Sequence, residues 1–258
     1  MNLIKKILQI FIALGIAISI GSCGYNEKPE PRLSMFIGVD VSGSFIEGKH
    51  FDDSMDFLAH YIYSHLKGYD GLEVPSVLFV GSIGGEKRDE PKTLYPIADF
   101  ANKSIKEIRA QLKKSFPKHQ INPFTDYNAF FDQIARTVRD RNLILKPISV
   151  VMISDGIPDV PTGKKKKADF KDIIVKPLEL LSRNITVRLL YTDAVVGKNW
   201  QTKVTRKRVK IWTQDAQVME SWNDPNILLP NTPFEKQEYF FEWIKDNVDF
   251  GVRSRRVK

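Results

Sequence analysis

The sequence predicts an α/β protein with a doubly wound, mostly parallel sheet of about six strands, one of them an antiparallel edge strand. Short apolar runs alternate with longer segments of helical periodicity, which is the pattern of buried strands covered by helices on both faces. The 258 residues, less a short N-terminal segment, suit one domain with a full hydrophobic core.

Strands are predicted where a short apolar run is bounded by turn or polar residues. The five main candidates are residues 34–39, 76–81, 148–154, 185–191 and 208–213. A sixth and weaker candidate, residues 93–97, is flanked by prolines, and we expect it at the edge of the sheet because proline cannot donate to a central ladder.

Helices are predicted between the strands from apolar residues that recur every three or four positions. The clearest apolar face is formed by Tyr127, Phe130, Phe131, Ile134 and Val138. Similar segments are residues 52–66, 103–113, 170–181 and 234–248. The last begins with Thr232-Pro233-Phe234-Glu235, which we interpret as a capping box with proline at the first helical position.

The first 22 residues are typical of an export signal, with Lys5 and Lys6 ahead of an apolar stretch over about residues 7–20. That stretch is short for a bilayer span. Its end, Ile20-Gly21-Ser22-Cys23, resembles the lipobox of bacterial lipoproteins, in which the signal is cleaved before the cysteine and the cysteine carries the lipid. We expect a signal peptide over 1–22 and lipidation at Cys23; the alternative is an uncleaved anchor with an incidental cysteine.

Lipidation would anchor the protein to a membrane of the bacterial cell envelope, in a periplasmic or surface-facing position. Residues 23–32 would then be the lipidated cysteine and a tether, residues 33–248 the domain, and residues 249–258 a basic tail. Cys23 is the only cysteine, so no internal disulfide is possible. More than one acyl chain is needed for stable anchoring, since each buried methylene contributes about 0.8 kcal/mol.

The chain is basic, with a formal charge of +8 that falls to +6 when Lys5 and Lys6 leave with the signal. Much of this charge lies in clusters at 164–167, 203–210 and 253–258. We expect no nucleic-acid binding, because no aromatic-interleaved basic motif or zinc-finger spacing accompanies the clusters. We interpret them as solvated loops and tail that could touch anionic lipid.

Oxygen-bearing side chains in three separate loops form the candidate site. They are Asp40, Ser42, Ser44, Thr125 and Asp155. Asp40 and Asp155 each follow a predicted strand, and ligands of doubly wound sheets bind beyond the carboxyl ends of strands where the connection order reverses. Such oxygens suit a hard divalent cation, and we expect Mg²⁺, or else Mn²⁺ or Ca²⁺. Alternatively the serines are turn residues, Thr125 is a helix N-cap, and Asp155-Gly156 is a plain turn.

The motifs Asp40-Val41-Ser42-Gly43-Ser44, Thr125-Asp126 and Ser154-Asp155-Gly156 resemble the metal-ion-dependent adhesion site of von Willebrand factor type A (VWA) domains. The resemblance covers roughly residues 33–248 and implies a doubly wound α/β fold. It implies that the hydroxyls bind the metal directly, while Asp40 and Asp155 act partly through water. It also implies a protein or peptide partner that offers a carboxylate as the last ligand.

These features favour a membrane-anchored, divalent-cation-dependent protein-binding or adhesion module that is not an enzyme. One alternative is a hydrolase that uses the metal to activate water, although no dedicated base or paired histidines accompany the site. Another is a metal-free scaffold in an envelope complex. The glycine-rich segment 81–85 lacks the spacing of a nucleotide loop.

Other side chains have structural and functional interpretations. Phe45 and Ile46, just past the serines, are expected either to touch the partner or to pack in the core. The tryptophans in the last quarter of the chain favour the core over a partner surface; they are Trp200, Trp212, Trp222 and Trp243. The histidines show no metal-ligand spacing and are expected at the surface or half-buried. They are His50, His60, His65 and His119.

Overall fold

The computed structural model describes residues 30–85, 92–119, 124–159 and 168–250. The predicted signal peptide, Cys23, most of the tether, the lysine cluster at 164–167 and most of the basic tail lie outside the described residues. The described residues from Pro31 onward belong to one compact unit. Within the described ranges, no helix has both the length and the apolarity needed to cross a membrane.

The strands are β1 (Leu33–Val39), β2 (Pro75–Ser82), β3 (Gly84–Gly85), β4 (Leu94–Pro96), β5 (Phe124–Thr125), β6 (Ile148–Ile153), β7 (Ile185–Thr192) and β8 (Lys210–Asp215). A six-stranded sheet has the order β4-β2-β1-β6-β7-β8, and β3 pairs with β5 separately. All neighbours in the large sheet are parallel except β2 and β4, which are antiparallel. The predicted fold class and edge strand are confirmed.

The helices are α1 (Gly43–Ile46), α2 (Phe51–Lys67), α3 (Ile105–Ser115), α4 (Tyr127–Asp140), α5 (Lys176–Glu179), α6 (Ala194–Lys203), α7 (Ala216–Met219) and α8 (Glu238–Asn247). One core joins the sheet to α2, α3 and α8, and a second core joins its other face to α4, α5 and α6. Alternate residues of β1 enter the two cores, Met35 and Ile37 on one side and Phe36 on the other. Helices therefore cover both faces.

The position of β1 creates a crevice at the carboxyl edge of the sheet. β1 lies between β2 on one side and β6 on the other. The chain therefore places β2 and β4 on one side of β1, and later β6, β7 and β8 on the other side. Val39 pairs with Ile153 at the ends of β1 and β6, so the loops that follow these two strands start side by side at the point where the connection order reverses.

The single helix predicted over 170–181 is wrong. The structure has a 3₁₀ turn at Phe170–Asp172 and then the short helix α5, which begins at Lys176 and carries Pro177 in its first turn. Proline lacks the N–H that a continuing helix needs, and its ring clashes with the carbonyl four residues earlier, so the helix can begin at Pro177 but cannot run through it.

The capping box predicted at Thr232 is also wrong. Phe234–Lys236 forms a 3₁₀ turn without a side-chain cap, and α8 begins at Glu238. The buried side chain of Gln237 donates to the carbonyls of Leu229 and Thr232 and accepts from the Leu229 N–H. These bonds hold the preceding loop against the helix start, so a glutamine organises the turn that we assigned to Thr232.

Helix α6 was missed, because its apolar residues do not follow a clear helical period and Val195 is exposed. Of the four tryptophans predicted to favour the core, Trp200, Trp222 and Trp243 are buried and Trp212 is half-buried. Among the histidines, His65 is not at the surface or half-buried as expected, because it is only 2% exposed.

Candidate metal centre

The five predicted side chains meet at the carboxyl edge of the sheet, in one hydrogen-bonded network. The Ser42 and Ser44 hydroxyls lie 3.2 Å apart, and Ser44 donates to Asp155 Oδ2 at 2.9 Å. The Thr125 hydroxyl donates to Asp40 Oδ1 at 3.4 Å, and the Ser42 N–H donates to the same oxygen at 2.9 Å. Oxygen atoms from all three loops therefore converge on one location.

The solvent exposure of the residues in this network increases from the interior of the protein to its surface. Asp40 is fully buried, Thr125 and Ser42 are 1% and 2% exposed, Asp155 is half-buried and Ser44 is exposed. The buried members can hold a fixed geometry, while the outer members leave one side of the cluster open. A ligand could reach the cluster from that side.

Two glycines allow the Thr125 loop to approach β1. Gly84 pairs with Thr125 in the small ladder of β3 and β5, and a Cβ on Gly84 would lie 2.1 Å from the Phe124 carbonyl oxygen. A Cβ on Gly38 would lie 2.7 Å from the ring of Phe130 on α4. Side chains at these positions would push the loop and helix outward, so the glycines bring Thr125 within reach of Asp40. The 81–85 segment thus has a structural role.

Sequence reasoning missed a second layer of support behind Asp40. Ser154 donates to Asp40 Oδ2 at 2.5 Å, and its hydroxyl lies 2.8 Å from the hydroxyl of Tyr127, the first residue of α4. The Gly156 N–H also donates to the Ser154 oxygen. The available signal was that Ser154 directly precedes Asp155, but the sequence does not show which way the Ser154 hydroxyl points.

The loop after β6 is held by further contacts. Gly156 has a φ of +82°, and its carbonyl accepts from the buried indole N–H of Trp200 at 2.8 Å. The Tyr127 ring stacks edge-on against Trp200, with centroids 4.8 Å apart. The missed helix α6 therefore positions the Asp155 loop through Trp200.

Asp159 is a further acidic group at the site, to which the sequence analysis assigned no role. Its carboxylate accepts from the Thr125 hydroxyl at 3.2 Å. Partial burial raises its pKa, the bond from Thr125 lowers it, and the nearby charge of Asp155 raises it. Asp159 therefore adds negative charge beside Thr125.

The alternative roles of two segments are now resolved. The N-cap of α4 is Asp126, which accepts from the Ala129 N–H at 3.0 Å, so Thr125 is not the cap. Phe45 and Ile46 are 2% and 3% exposed. The Phe45 ring packs edge-on against Phe51 and Tyr191, so these residues pack in the core and do not face a partner.

The electrostatics of the site favour a cation. Burial raises the pKa of Asp40 from 3.8 to about 6; the bond from Ser154 lowers it and the charge of Asp155 raises it. None of the ion pairs among the described residues includes Asp40, Asp155 or Asp159. A buried carboxylate without a counter-ion is costly, and a bound cation would offset that cost.

The donor set fits a hard divalent ion. Carboxylate and hydroxyl oxygens are the ligands of Mg²⁺, Mn²⁺ and Ca²⁺, whereas imidazole and thiolate suit softer metals. In the described part of the chain, no group of three or more His, Cys, Asp or Glu side chains is placed to hold a metal. Metal binding at this site would therefore depend on the hydroxyls of Ser42, Ser44 and Thr125.

An open groove lies at the same edge of the sheet, beyond β7 and β8. Its volume is about 290 Å³, and its lining includes Thr192, Asp193, Lys198, Thr213 and Asp215. None of the five predicted site residues lines it.

Comparisons with known proteins give no close relative in sequence. The chain matches no protein-family model, and no curated protein is significantly similar to it.

Solved structures of similar topology include VWA domains. The pilus adhesin SpaC from Lactobacillus rhamnosus GG matches with a TM-score of 0.47 and 11% identity, over 84% of this chain and 30% of SpaC. Proximal thread matrix protein 1 of the mussel byssus matches at 0.47 and 10%, over 73% and 46%. The SpRpn10 VWA domain matches at 0.39 and 12%, over 70% and 87%.

The matched part of the chain thus spans less than half of SpaC and of the mussel protein. Another structure of the mussel protein has zinc in its metal-ion-dependent adhesion motif (TM-score 0.40, 13% identity). At these identities and TM-scores, the likeness adds nothing to the description of the fold and site, which rests on the strand order and contacts of this chain.

Proposed function

We propose that this protein is a membrane-anchored, divalent-cation-dependent protein-binding module of the bacterial cell envelope. One observation carries the proposal: side-chain oxygens of Asp40, Thr125 and Asp155, from three loops distant in sequence, belong to one network at the switch point of the sheet. The membrane anchor rests on the lipobox-like sequence that ends at Cys23.

The residues of the site would divide the work of holding Mg²⁺ or a similar ion. Ser42, Ser44 and Thr125 would contribute hydroxyl oxygens, and Asp40 and Asp155 would contribute negative charge, partly through water. Neutral hydroxyls cancel little of the ion's charge. A bound divalent cation would therefore supply an electrophilic centre for a carboxylate of the partner.

The supporting layer would keep these ligands in place. Ser154 and Tyr127 orient the buried Asp40 carboxylate through hydrogen bonds, which is how residues behind a metal site maintain its geometry. Ile157, in the loop that follows β6, is 44% exposed, and its N–H donates to Asp155 Oδ1 at 3.0 Å. An apolar side chain at the rim would pack against the partner that supplies the carboxylate.

Calorimetric titration with Mg²⁺, Mn²⁺ and Ca²⁺ tests the metal site. We expect the wild-type protein to bind the ion. The Asp40→Ala, Ser42→Ala double variant should bind it at least roughly 100-fold more weakly, since even residues that only support a metal ligand can contribute that much to the affinity. Asp140→Ala, which removes an exposed carboxylate at the far end of α4, is the matched control and should bind like wild type. Absence of binding by the wild-type protein refutes the metal site.

Partner capture from membranes, with and without chelator, tests the binding function. We expect chelator and the Asp40→Ala, Ser42→Ala pair to abolish capture of the same partner. Capture that persists in chelator supports a metal-free scaffold, and metal-dependent turnover of a phosphoester or peptide panel supports a hydrolase. Cys23→Ser should abolish incorporation of a labelled fatty acid into the protein if the cysteine carries the anchor.

A further inference from the structure

The edge of the sheet opposite the metal centre carries an unusual exposed surface. It is formed by three loops, residues 141–147 before β6, 180–184 before β7 and 205–210 before β8, and we call it the basic edge. The loops adjoin one another: the Leu145 N–H donates to the Leu181 carbonyl at 2.8 Å, and the Lys207 N–H donates to Glu179 Oε1 at 2.5 Å.

Apolar side chains project from the basic edge. Leu145 and Leu180 are 73% and 75% exposed, and Ile144 is 47% exposed, although their neighbours Leu143 and Leu181 are buried. Leu145 also has a φ of +71°. A leucine in this left-handed conformation is uncommon, and residues with strained backbone cluster at functional sites.

Cationic side chains lie in the same three loops as these leucines. They are Arg141, Lys146, Arg183, Arg206, Lys207, Arg208 and Lys210, of which Lys146 and Arg206 are half-buried and the others are exposed. The acidic residues that directly flank the loops are Asp140 and Glu179, and Glu179 already accepts the Lys207 N–H. The basic edge is therefore positive overall, with an apolar centre.

The chain enters the fold at this same edge. β1 begins at Leu33, and the Ser34 N–H donates to the carbonyl of Pro147 in the first loop of the basic edge. Cys23 lies ten residues before Leu33. Ten residues of fully extended chain span at most about 33–36 Å. A lipid on Cys23 would therefore keep the basic edge close to the membrane.

We propose that the basic edge docks on a membrane of anionic phospholipid. Leu145 and Leu180 enter the interface between headgroups and acyl chains, and the surrounding lysines and arginines bind headgroup phosphates. Positive charge around exposed leucines matches the two properties of such a surface, negative charge above an apolar layer. Docked in this way, the protein presents its metal centre away from the membrane, at the opposite edge of the sheet.

This inference goes beyond the proposed function, because it concerns a different surface and requires no metal. Only the statement about the tether relies on lipidation of Cys23. Asp40→Ala should leave docking unchanged, so failure of the metal site and failure of the docking surface can be told apart.

Site-specific fluorescence on vesicles tests the proposal. The full-length chain carries Cys23→Ser and one new cysteine, Leu145→Cys, Leu180→Cys or Val195→Cys, labelled with a polarity-sensitive dye. Val195 is the matched control, since it is 71% exposed and lies in the first turn of α6, which follows β7 at the metal-centre edge. The vesicles contain phosphatidylcholine with or without phosphatidylglycerol, together with a nitroxide-labelled lipid as the quencher.

We expect the dyes at 145 and 180 to shift to the blue and to be quenched on phosphatidylglycerol vesicles, while the dye at 195 stays in water. The apolar N-terminal segment can bring all three proteins to the vesicles, so the contrast between positions is the measurement. High salt should reduce the quenching at 145, because the headgroup contacts are electrostatic.

Charge reversal separates docking from nonspecific proximity. The Lys207→Glu, Arg208→Glu, Lys210→Glu variant should lower the equilibrium constant for docking, read from the quenching at 145, by at least about fivefold, since one basic contact with an anionic surface contributes about 1 kcal/mol. Lys106→Glu, Lys113→Glu, Lys114→Glu makes the same charge change on the exposed side of α3 and should not. Circular dichroism verifies that both variants fold.

Three results would overturn the proposal. The first is equal quenching at 145 and 195. The second is quenching that the charge reversal at 207–210 leaves intact. The third is a blue shift at 145 that depends on protein concentration without vesicles, which would assign the basic edge to contact with a second copy of the chain.

Discussion

Two aspartates at opposite edges of the sheet, one fully buried and one half-buried, have opposite electrostatic surroundings. Asp40, at the edge of the candidate metal centre, is fully buried, and none of the ion pairs between described residues includes it. Burial raises its pKa to about 6. Asp249, at the other edge, is 15% exposed and interacts with His65 and Arg188. Burial raises its pKa too, but the interactions with His65 and Arg188 and the hydrogen bond from the Tyr61 hydroxyl outweigh that effect and lower the pKa overall.

The contacts of Asp249 form a structural network of hydrogen bonds and ion pairs. Tyr61 donates to Asp249 Oδ1 at 2.9 Å, and His65 Nε2 lies 3.0 Å from Oδ2. Arg188, 1% exposed, donates to the Val248 carbonyl and to Ser149, and its Nε lies 3.7 Å from Asp249. The network links α2, β6 and β7 to the end of α8.

The difference shows where the protein supplies its own counter-charge. A structural carboxylate receives cations from neighbouring elements, because an unpaired buried charge would destabilise the fold. The Asp40 carboxylate at the candidate metal centre receives hydroxyls and a backbone N–H instead, and the described part of the chain places no cationic side chain in an ion pair with it. Carboxylates whose pKa is perturbed by burial cluster at functional sites.

The largest effect is expected at the structural edge. Arg188→Leu should lower the free energy of unfolding by about 3–5 kcal/mol, because it leaves one partner of a buried pair behind. Urea unfolding measures the change, with Arg139→Leu as the exposed control. Metal affinity should not change, and a loss below about 1 kcal/mol would mean that Arg188 does little for Asp249.

The two aspartates should give pH dependences of opposite sign. The raised pKa of Asp40 means that its contribution to stability is present below about pH 4 and is lost as pH rises through about 6. In the presence of chelator, the free energy of unfolding of Asp40→Asn should therefore rise relative to that of the wild type by up to about 3 kcal/mol between pH 4 and pH 7.

Asp249→Asn should behave in the reverse way. Because the pKa of Asp249 is lowered, its contribution is present above about pH 4 and is lost as pH falls further. The cost of the variant should be greatest near neutral pH and shrink in acid. Urea unfolding over this pH range tests both, and excess Mg²⁺ should remove the Asp40 effect alone; parallel pH profiles would contradict the comparison.

A smaller effect is expected for the layer behind Asp40. Tyr127→Phe removes the hydroxyl that contacts Ser154 and should cost about 1 kcal/mol of stability. It should also weaken Mg²⁺ binding by about tenfold, since supporting residues typically contribute this much. Calorimetry and urea unfolding measure the two effects, with the exposed Tyr239→Phe as control. Unchanged metal affinity would leave Tyr127 a purely structural role.

The smallest effect concerns the basic edge. Leu145→Gly should raise the free energy of unfolding by about 0.5–1 kcal/mol, because glycine adopts a φ of +71° without strain. Leu180→Gly is the matched control: Leu180 is equally exposed but has a φ of −90°, so glycine should destabilise there. Equal effects of the two substitutions in thermal unfolding would remove strain as a reason to regard Leu145 as functional.

Most strands could be predicted because their signal is local. The run predicted as 148–154 became Ile148–Ile153, and the proline-flanked segment at 93–97 became the edge strand Leu94–Pro96. Residues buried on both faces leave a continuous apolar run that needs no tertiary information. The helix predicted at 170–181 failed because Pro177 acts through its own backbone, whatever the apolar spacing.

The site could be predicted in part. Asp40, Ser42 and Ser44 lie within one short motif, and Asp155 follows a clear strand, so their shared edge follows from the fold class. The contribution of Ser154 could not be predicted, because it depends on which way one hydroxyl points. The His65–Asp249 contact spans 184 residues of sequence, and no local pattern indicates it.

By itself, the sequence determined the alternation of strands and helices, the sheet edge at which Asp40 and Asp155 emerge, and the kinds of oxygen available there. Only the tertiary structure decided that Thr125 reaches Asp40, that Ser154 supports it, and that exposed leucines lie among cations at the opposite edge. The reason is physical: burial and backbone propensity act over a few neighbouring residues, whereas these contacts depend on the packing of α4, α6 and the strand ends around two closely approached glycines.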